Sequence, residues 1–197
     1  MSHPLEINNF FFKGIVKFGR KRHEVDIIDP KTSQVIMSGR EYQLSGLTKF
    51  LRFTPFFMWT PFHVEIKSSN GEQILSFKRG GSFGFSDISI FDENGRFIGK
   101  IVPIFKVGGR KIEIYDHSNN SVGTFTGDIL GWDFKVVSNK GQLATINKKW
   151  AGIGKELFTT ADNYILCFNE DMNLSFTLKQ LIIASAISYD ILYRSHK

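Results

Sequence analysis

A single cysteine, Cys167, occurs in the 197 residues, so the chain can form neither an intramolecular disulfide nor a cysteine-based zinc site, which fits a reducing compartment. Proline is scarce, and no stretch of disordered or low-complexity composition interrupts the sequence. One domain over residues 1–197 is therefore expected. Residues 1–9 hold Pro4 and Glu6 but no apolar run, which argues against a secretory signal peptide. The histidines at 3, 23, 63, 117 and 196 lack metal-ligand spacing. Nucleophile-elbow, phosphate-loop and dinucleotide fingerprints are missing, and Gly80-Gly81-Ser82-Phe83-Gly84 is not followed by a helical pattern. The carboxylate pairs Asp92-Glu93 and Glu170-Asp171 lie beside turns, where solvated loops account for them. With no catalytic constellation, a non-enzymatic protein is expected.

What the sequence does contain points to packed strands. Apolar residues make up 42% of the chain, 20 of them phenylalanine, enough to fill a substantial core, and 18 glycines suggest frequent turns. Short apolar segments alternate with turn chemistry. Asn70-Gly71 separates residues 63–67 from 73–77, and Asn94-Gly95 separates 88–91 from 96–101; Asn-Gly favours the two positive φ values of a type I′ hairpin. Weaker turns follow at 118–120 and 139–141. In Lys111-Ile112-Glu113-Ile114-Tyr115-Asp116 both isoleucines share one face and the charges the other, with Tyr115 a partial exception. About a dozen such strands are expected, and closing them into a barrel would remove the exposed edges of a long meander.

The C-terminus breaks this period. Residues 178–193 are rich in Ala, Leu and Ile, and the preceding Thr177 predicts a capped helix over 177–193. Its apolar residues cover nearly the whole circumference, the mark of a helix buried on all sides or lying in lipid. The uncharged stretch between Lys179 and Asp190 is ten residues, against the ~20 that cross a bilayer. A core helix and no transmembrane span are expected.

Net charge is +6, with its excess centred on Arg20, Lys21 and Arg22. A basic surface suits anionic lipid, nucleic acid or an acidic protein, and charge alone does not choose among them. A second candidate surface is the run from Lys49 to Phe62, where Lys49 and Arg52 are interleaved with Phe56, Phe57 and Trp59. Exposed, it has membrane-interface chemistry, with aromatic rings at headgroup depth and cations on phosphates. Buried, the rings would fill one end of the barrel. Pro55 and Pro61 bracket the run and argue against a central strand or a continuous helix.

Three ordered elements carry a family resemblance. Lys148-Lys149-Trp150-Ala151-Gly152-Ile153, then Glu156-Leu157-Phe158-Thr159-Thr160-Ala161-Asp162-Asn163-Tyr164, then the apolar C-terminal helix resemble the pattern of phospholipid scramblases. Phe77-Lys78-Arg79 and the Asn94-Gly95 to Gly99 hairpin match more weakly, and residues 1–60 contribute little. The resemblance implies a mainly β fold, a closed antiparallel barrel of about twelve strands around a buried C-terminal helix, shared with tubby-like and LURP-one-related proteins. It implies an intracellular lipid-associated protein that binds anionic phospholipid headgroups and promotes transbilayer lipid movement, cytoplasmic or peripheral at the inner face of the membrane. The alternative is a soluble tubby-like scaffold that binds nucleic acid or protein through a basic face. The palmitoylated cysteine stretch and proline-rich extension of animal scramblases are missing, so contact with membranes is expected to be reversible. The family's calcium loop falls on residues 160–171, where Asp162 and Asp171 remain as carboxylates and Ile165 stands at the glycine position. No cofactor, and no tight calcium site, is expected.

Overall fold

The computed structural model describes residues 3–14, 23–42, 45–51, 54, 60–81, 86–106, 109–128, 133–147 and 163–193. Twelve strands run in chain order as β1 (Asn9–Gly14), β2 (Glu24–Asp29), β3 (Gln34–Glu41), β4 (Phe62–Ser68), β5 (Gln73–Arg79), β6 (Ile88–Asp92), β7 (Phe97–Lys106), β8 (Gly109–Asp116), β9 (Ser121–Asp128), β10 (Asp133–Ser138), β11 (Gly141–Asn147) and β12 (Tyr164–Phe168). Each pairs antiparallel with its sequence neighbours, and β1 pairs with β12 through Phe10↔Leu166 and Phe12↔Tyr164, so the barrel closes without an edge. A short helix, α1 (Gly46–Leu51), lies between β3 and β4, and α2 (Phe176–Tyr193) follows β12. The expected barrel and its C-terminal helix are both present.

Strand alternation sets the two faces of the wall. Ile112 and Ile114 are wholly buried, while Lys111, Glu113 and Tyr115 lie on the outer face, where Glu113 accepts from Lys111 Nζ (2.8 Å) and the Tyr115 hydroxyl (2.6 Å). Tyr115 thus obeys the alternation, its ring outside and its hydroxyl satisfied. The lumen is filled by α2. Leu181, Ile182, Ile183, Ala184, Ala186, Ile187, Tyr189, Ile191 and Leu192 are all buried, because a helix apolar on every side needs walls on every side. Gly99 lets β7 approach it: a Cβ there would lie 2.8 Å from Leu181 Cδ2 and 2.2 Å from the Tyr115 carbonyl oxygen.

Two local expectations are corrected. The Asn-Gly turns are not type I′, since only the glycines have positive φ, +87° at Gly71 and +75° at Gly95. Gly71 N donates to Ser68 O and Gly95 N to Asp92 O, while Ser68 N and Asp92 N donate to Glu72 O and Arg96 O, the pattern of a three-residue loop closed by a left-handed bulge residue; a separate register shift follows on β5 and on β7. Asn119 plays that part between β8 and β9, with φ +63°. At two of these loops an aspartate favours this form, because Asp92 Oδ1 accepts from the backbone N–H of Asn94 and Arg96, and Asp116 Oδ1 from those of Ser118 and Asn120. The second correction concerns the helix cap. Ser175, not Thr177, supplies it, its Oγ accepting from Leu178 N at 3.2 Å and its carbonyl from Lys179 N at 3.0 Å.

Candidate functional site

Antiparallel order gives the barrel two unlike ends. Every connection from an odd to the next even strand leaves one end, here called the loop rim: residues 15–23, 42–61, 80–87, 107–108, 129–132 and 148–163. The helix enters at the opposite end, runs up the lumen and finishes at the loop rim, where Tyr189 packs against Phe125 and Phe134 with centroids 5.0 and 4.6 Å apart. The tight turns and the start of α2 form the turn rim. Counting charges on this topology separates them. The loop-rim connections and the tail 194–197 carry eleven Lys/Arg against three Asp/Glu, whereas residues 1–8 and the turn-rim connections carry three against five. Strands and helices outside these segments hold eleven of each sign. The whole basic excess therefore belongs to segments tethered to one end.

The bases of those segments are clamped by buried polar groups. Glu41, buried, accepts from His23 N at 3.0 Å, and Glu41 N donates to His23 O, tying the foot of the first loop to β3. Arg79, also buried, donates from Nη2 to Thr60 O at 2.8 Å and stacks 4.9 Å above Phe62, fixing the point where the aromatic run rejoins the wall. Ser45 caps α1 by accepting from Thr48 N at 3.2 Å, and Thr54 closes the helix through Leu51 O.

The aromatic run is divided. Phe62 is 3% exposed and belongs to the core, whereas Phe50 on α1 is 67% exposed. Tyr42, which sequence reasoning missed, is 60% exposed and stacks on His63 at 5.7 Å. The signal for Tyr42 was its place directly after a strand, outside the alternation. Lys49 lies on α1 with its side chain outside the described residues; Arg52, Phe56, Phe57, Trp59, Arg20, Lys21 and Arg22 also lie outside them. Their segments nevertheless all spring from the loop rim, so both basic segments are anchored to the same end of the barrel.

Of the two candidate calcium ligands, only Asp171 lies among the described residues. Tyr164–Phe168 of the stretch 160–171 forms β12, which at ~3.3 Å per residue spans roughly 15 Å. Asp171 sits exposed beyond its far end, on the turn rim, its N–H held by Asn169 Oδ1 at 3.1 Å. Asp162 lies outside the described residues. Among the described residues no group of three or more His, Cys, Asp or Glu is placed to hold a metal ion, and no helix is long and apolar enough to cross a membrane.

The turn rim holds a buried cation. Lys179, in the first turn of α2, donates from Nζ to Leu5 O (2.8 Å), Asn8 Oδ1 (2.9 Å) and Ile7 O (3.1 Å), and burial pushes its pKa down from the ordinary lysine value. It pins the N-terminal segment across this end of the barrel.

A Saccharomyces cerevisiae protein described as "Altered inheritance rate of mitochondria protein 25" is 23% identical, over 76% of this chain and 58% of its own length. The chain thus spans less than two thirds of that relative. No solved structure matches this chain. The family model described as Scramblase matches residues 58–196, from just before β4 through α2, leaving β1 to β3 outside the matched stretch although they complete the barrel. Matching well over half its length, the chain belongs to the Scramblase family.

Proposed function

We propose that the loop rim binds the surface of a membrane rich in anionic phospholipid, with Lys49, Arg52 and the Arg20-Lys21-Arg22 cluster on headgroup phosphates and Phe56, Phe57 and Trp59 at the interface. The observation that supports this most is the separation of charge, eleven cations against three carboxylates in segments of one end only. Each Lys or Arg near an anionic leaflet contributes about 1 kcal/mol, so several together suffice for reversible attachment. Phe50 and Tyr42, both well exposed at the same end, supply apolar contact that charge alone does not. Membership in the Scramblase family supports lipid as the partner. Promoting transbilayer movement needs a polar route for headgroups. In the described residues α2 fills the lumen, so the activity we assign to the barrel is binding.

The test is flotation with anionic and with neutral vesicles at physiological salt, beside a gel shift with DNA. Binding to anionic vesicles alone is expected, and reversing both charges in K49E/R52E should weaken it markedly. With Trp132 and Trp150 replaced by Phe, Trp59 emission should move to the blue when anionic vesicles are added. A gel shift with no flotation would support the basic-scaffold reading instead.

A further inference from the structure

The turn rim, at the far end from the proposed membrane surface, has features that the lipid reading does not use. Between the N-terminal segment, the β2–β3 turn and the turn before α2 lies a cleft of about 220 Å³, walled by Ile7 and Asn8 and by the carboxyl-bearing Glu6, Asp29 and Glu170. Lys31 is the one cation in its lining. Asp29 is engaged by its own turn, accepting from Lys31 N and Thr32 Oγ1. The exposed Glu6 and Glu170 have neither a hydrogen-bond nor an ion-pair partner for their carboxylates among the described residues. Large apolar side chains are exposed at the same rim, with Val35 near the start of β3 and Phe176 at the start of α2 each 45% exposed. Among the described residues, the ring of His3 stacks on Phe176 at 4.7 Å.

We propose that this cleft and its apolar margin dock a basic peptide segment of a partner protein, a Lys or Arg entering between Glu6 and Glu170 while an adjacent apolar residue covers Phe176 or Val35. Charge complementarity selects this occupant. The turn-rim segments are net acidic, in contrast to the loop rim, so a basic segment meets attraction here and repulsion at the other end. The wall is also preorganised: Lys179, beneath the cleft, holds Leu5, Ile7 and Asn8 in place by three hydrogen bonds, so little ordering is left for binding to supply. A barrel lying on a membrane by its loop rim presents the turn rim to the aqueous side, where a protein partner can reach it.

The experiment titrates the full chain against a short fluorescein-labelled peptide of Arg, Leu and Ser, read by fluorescence anisotropy, with a peptide of Glu, Leu and Ser for comparison. Only the basic peptide should bind, and E6K/E170K should weaken it by about tenfold or more. Glu72→Lys, on the β4–β5 turn of the same rim but outside the cleft, should leave affinity unchanged, and Phe176→Ser should lower it. The three glutamates are exposed, so thermal melts of the charge variants should match the unsubstituted chain. Equal loss in E72K, or no binding of the basic peptide, would overturn the proposal. Vesicle flotation of E6K/E170K should stay at the unsubstituted level, so failure of the membrane reading and failure of this one are separable.

Discussion

Truncating Ile183 to Ala tests whether α2 is a structural plug. Ile183 is wholly buried at the centre of the helix, and the change deletes three carbons, worth about 2.4 kcal/mol of lost transfer at ~0.8 kcal/mol per methylene. The wall cannot shrink to close the gap, because all twelve strands are hydrogen-bonded around the circle and fix its circumference. An unrelaxed cavity adds to the cost and brings the total to roughly 3–4 kcal/mol. For a chain of this size each kcal/mol lowers the melting temperature by about 2–4 °C, so a fall of roughly 10 °C is expected in a thermal melt followed by near- and far-UV circular dichroism. Ile183→Asp places an unpaired charge at the same point and should cost about 5 kcal/mol or more, enough to unfold a marginally stable domain. A melting temperature unmoved in I183A, together with a soluble and cooperatively folded I183D, would show that the helix does not sit in the lumen.

Gly99→Ala should destabilise by about 1–3 kcal/mol or more, since the Tyr115 carbonyl 2.2 Å from the new Cβ is backbone and cannot swing away; wild-type stability in a urea titration would refute the close approach. Because burial lowers the Lys179 pKa in the folded chain, the unfolded chain holds more protons between that lowered value and 10.5, so this group's contribution to stability should rise with pH across that window. Comparing K179M with the unsubstituted chain over that range isolates the term, and identical pH slopes would exclude it. Millimolar Ca²⁺ should leave the melting temperature nearly unchanged, because β12 separates Asp171 from the loop-rim side; a rise of several degrees reversed by chelator would contradict this.

Local patterns were enough to set the periodic skeleton. Alternation like that of residues 111–116, turn residues at regular spacing and a helix apolar all round are local patterns, each written in a few neighbouring residues, and together they admit a closed barrel with an internal helix. Turn type was less legible: Asn-Gly was compatible with type I′, but the aspartate two residues before Asn94 captured the backbone N–H groups and selected the bulged form. Spacing likewise did not place Ser175 ahead of Thr177 as the cap, since both are competent and only the helix start decides. The sites depended on tertiary structure most of all. Arg20 and Lys49 are far apart in sequence, and only the antiparallel order of the strands between them ties both segments to one rim. Asp171 follows Asp162 by nine residues, and an extended strand, Tyr164–Phe168, takes up most of that interval. Lys179 reads as a polar boundary of the helix, yet it finds its partners in Leu5, Ile7 and Asn8 across the length of the chain, because a charge drawn inside with an apolar helix must be met by whatever acceptors the folded barrel brings to it.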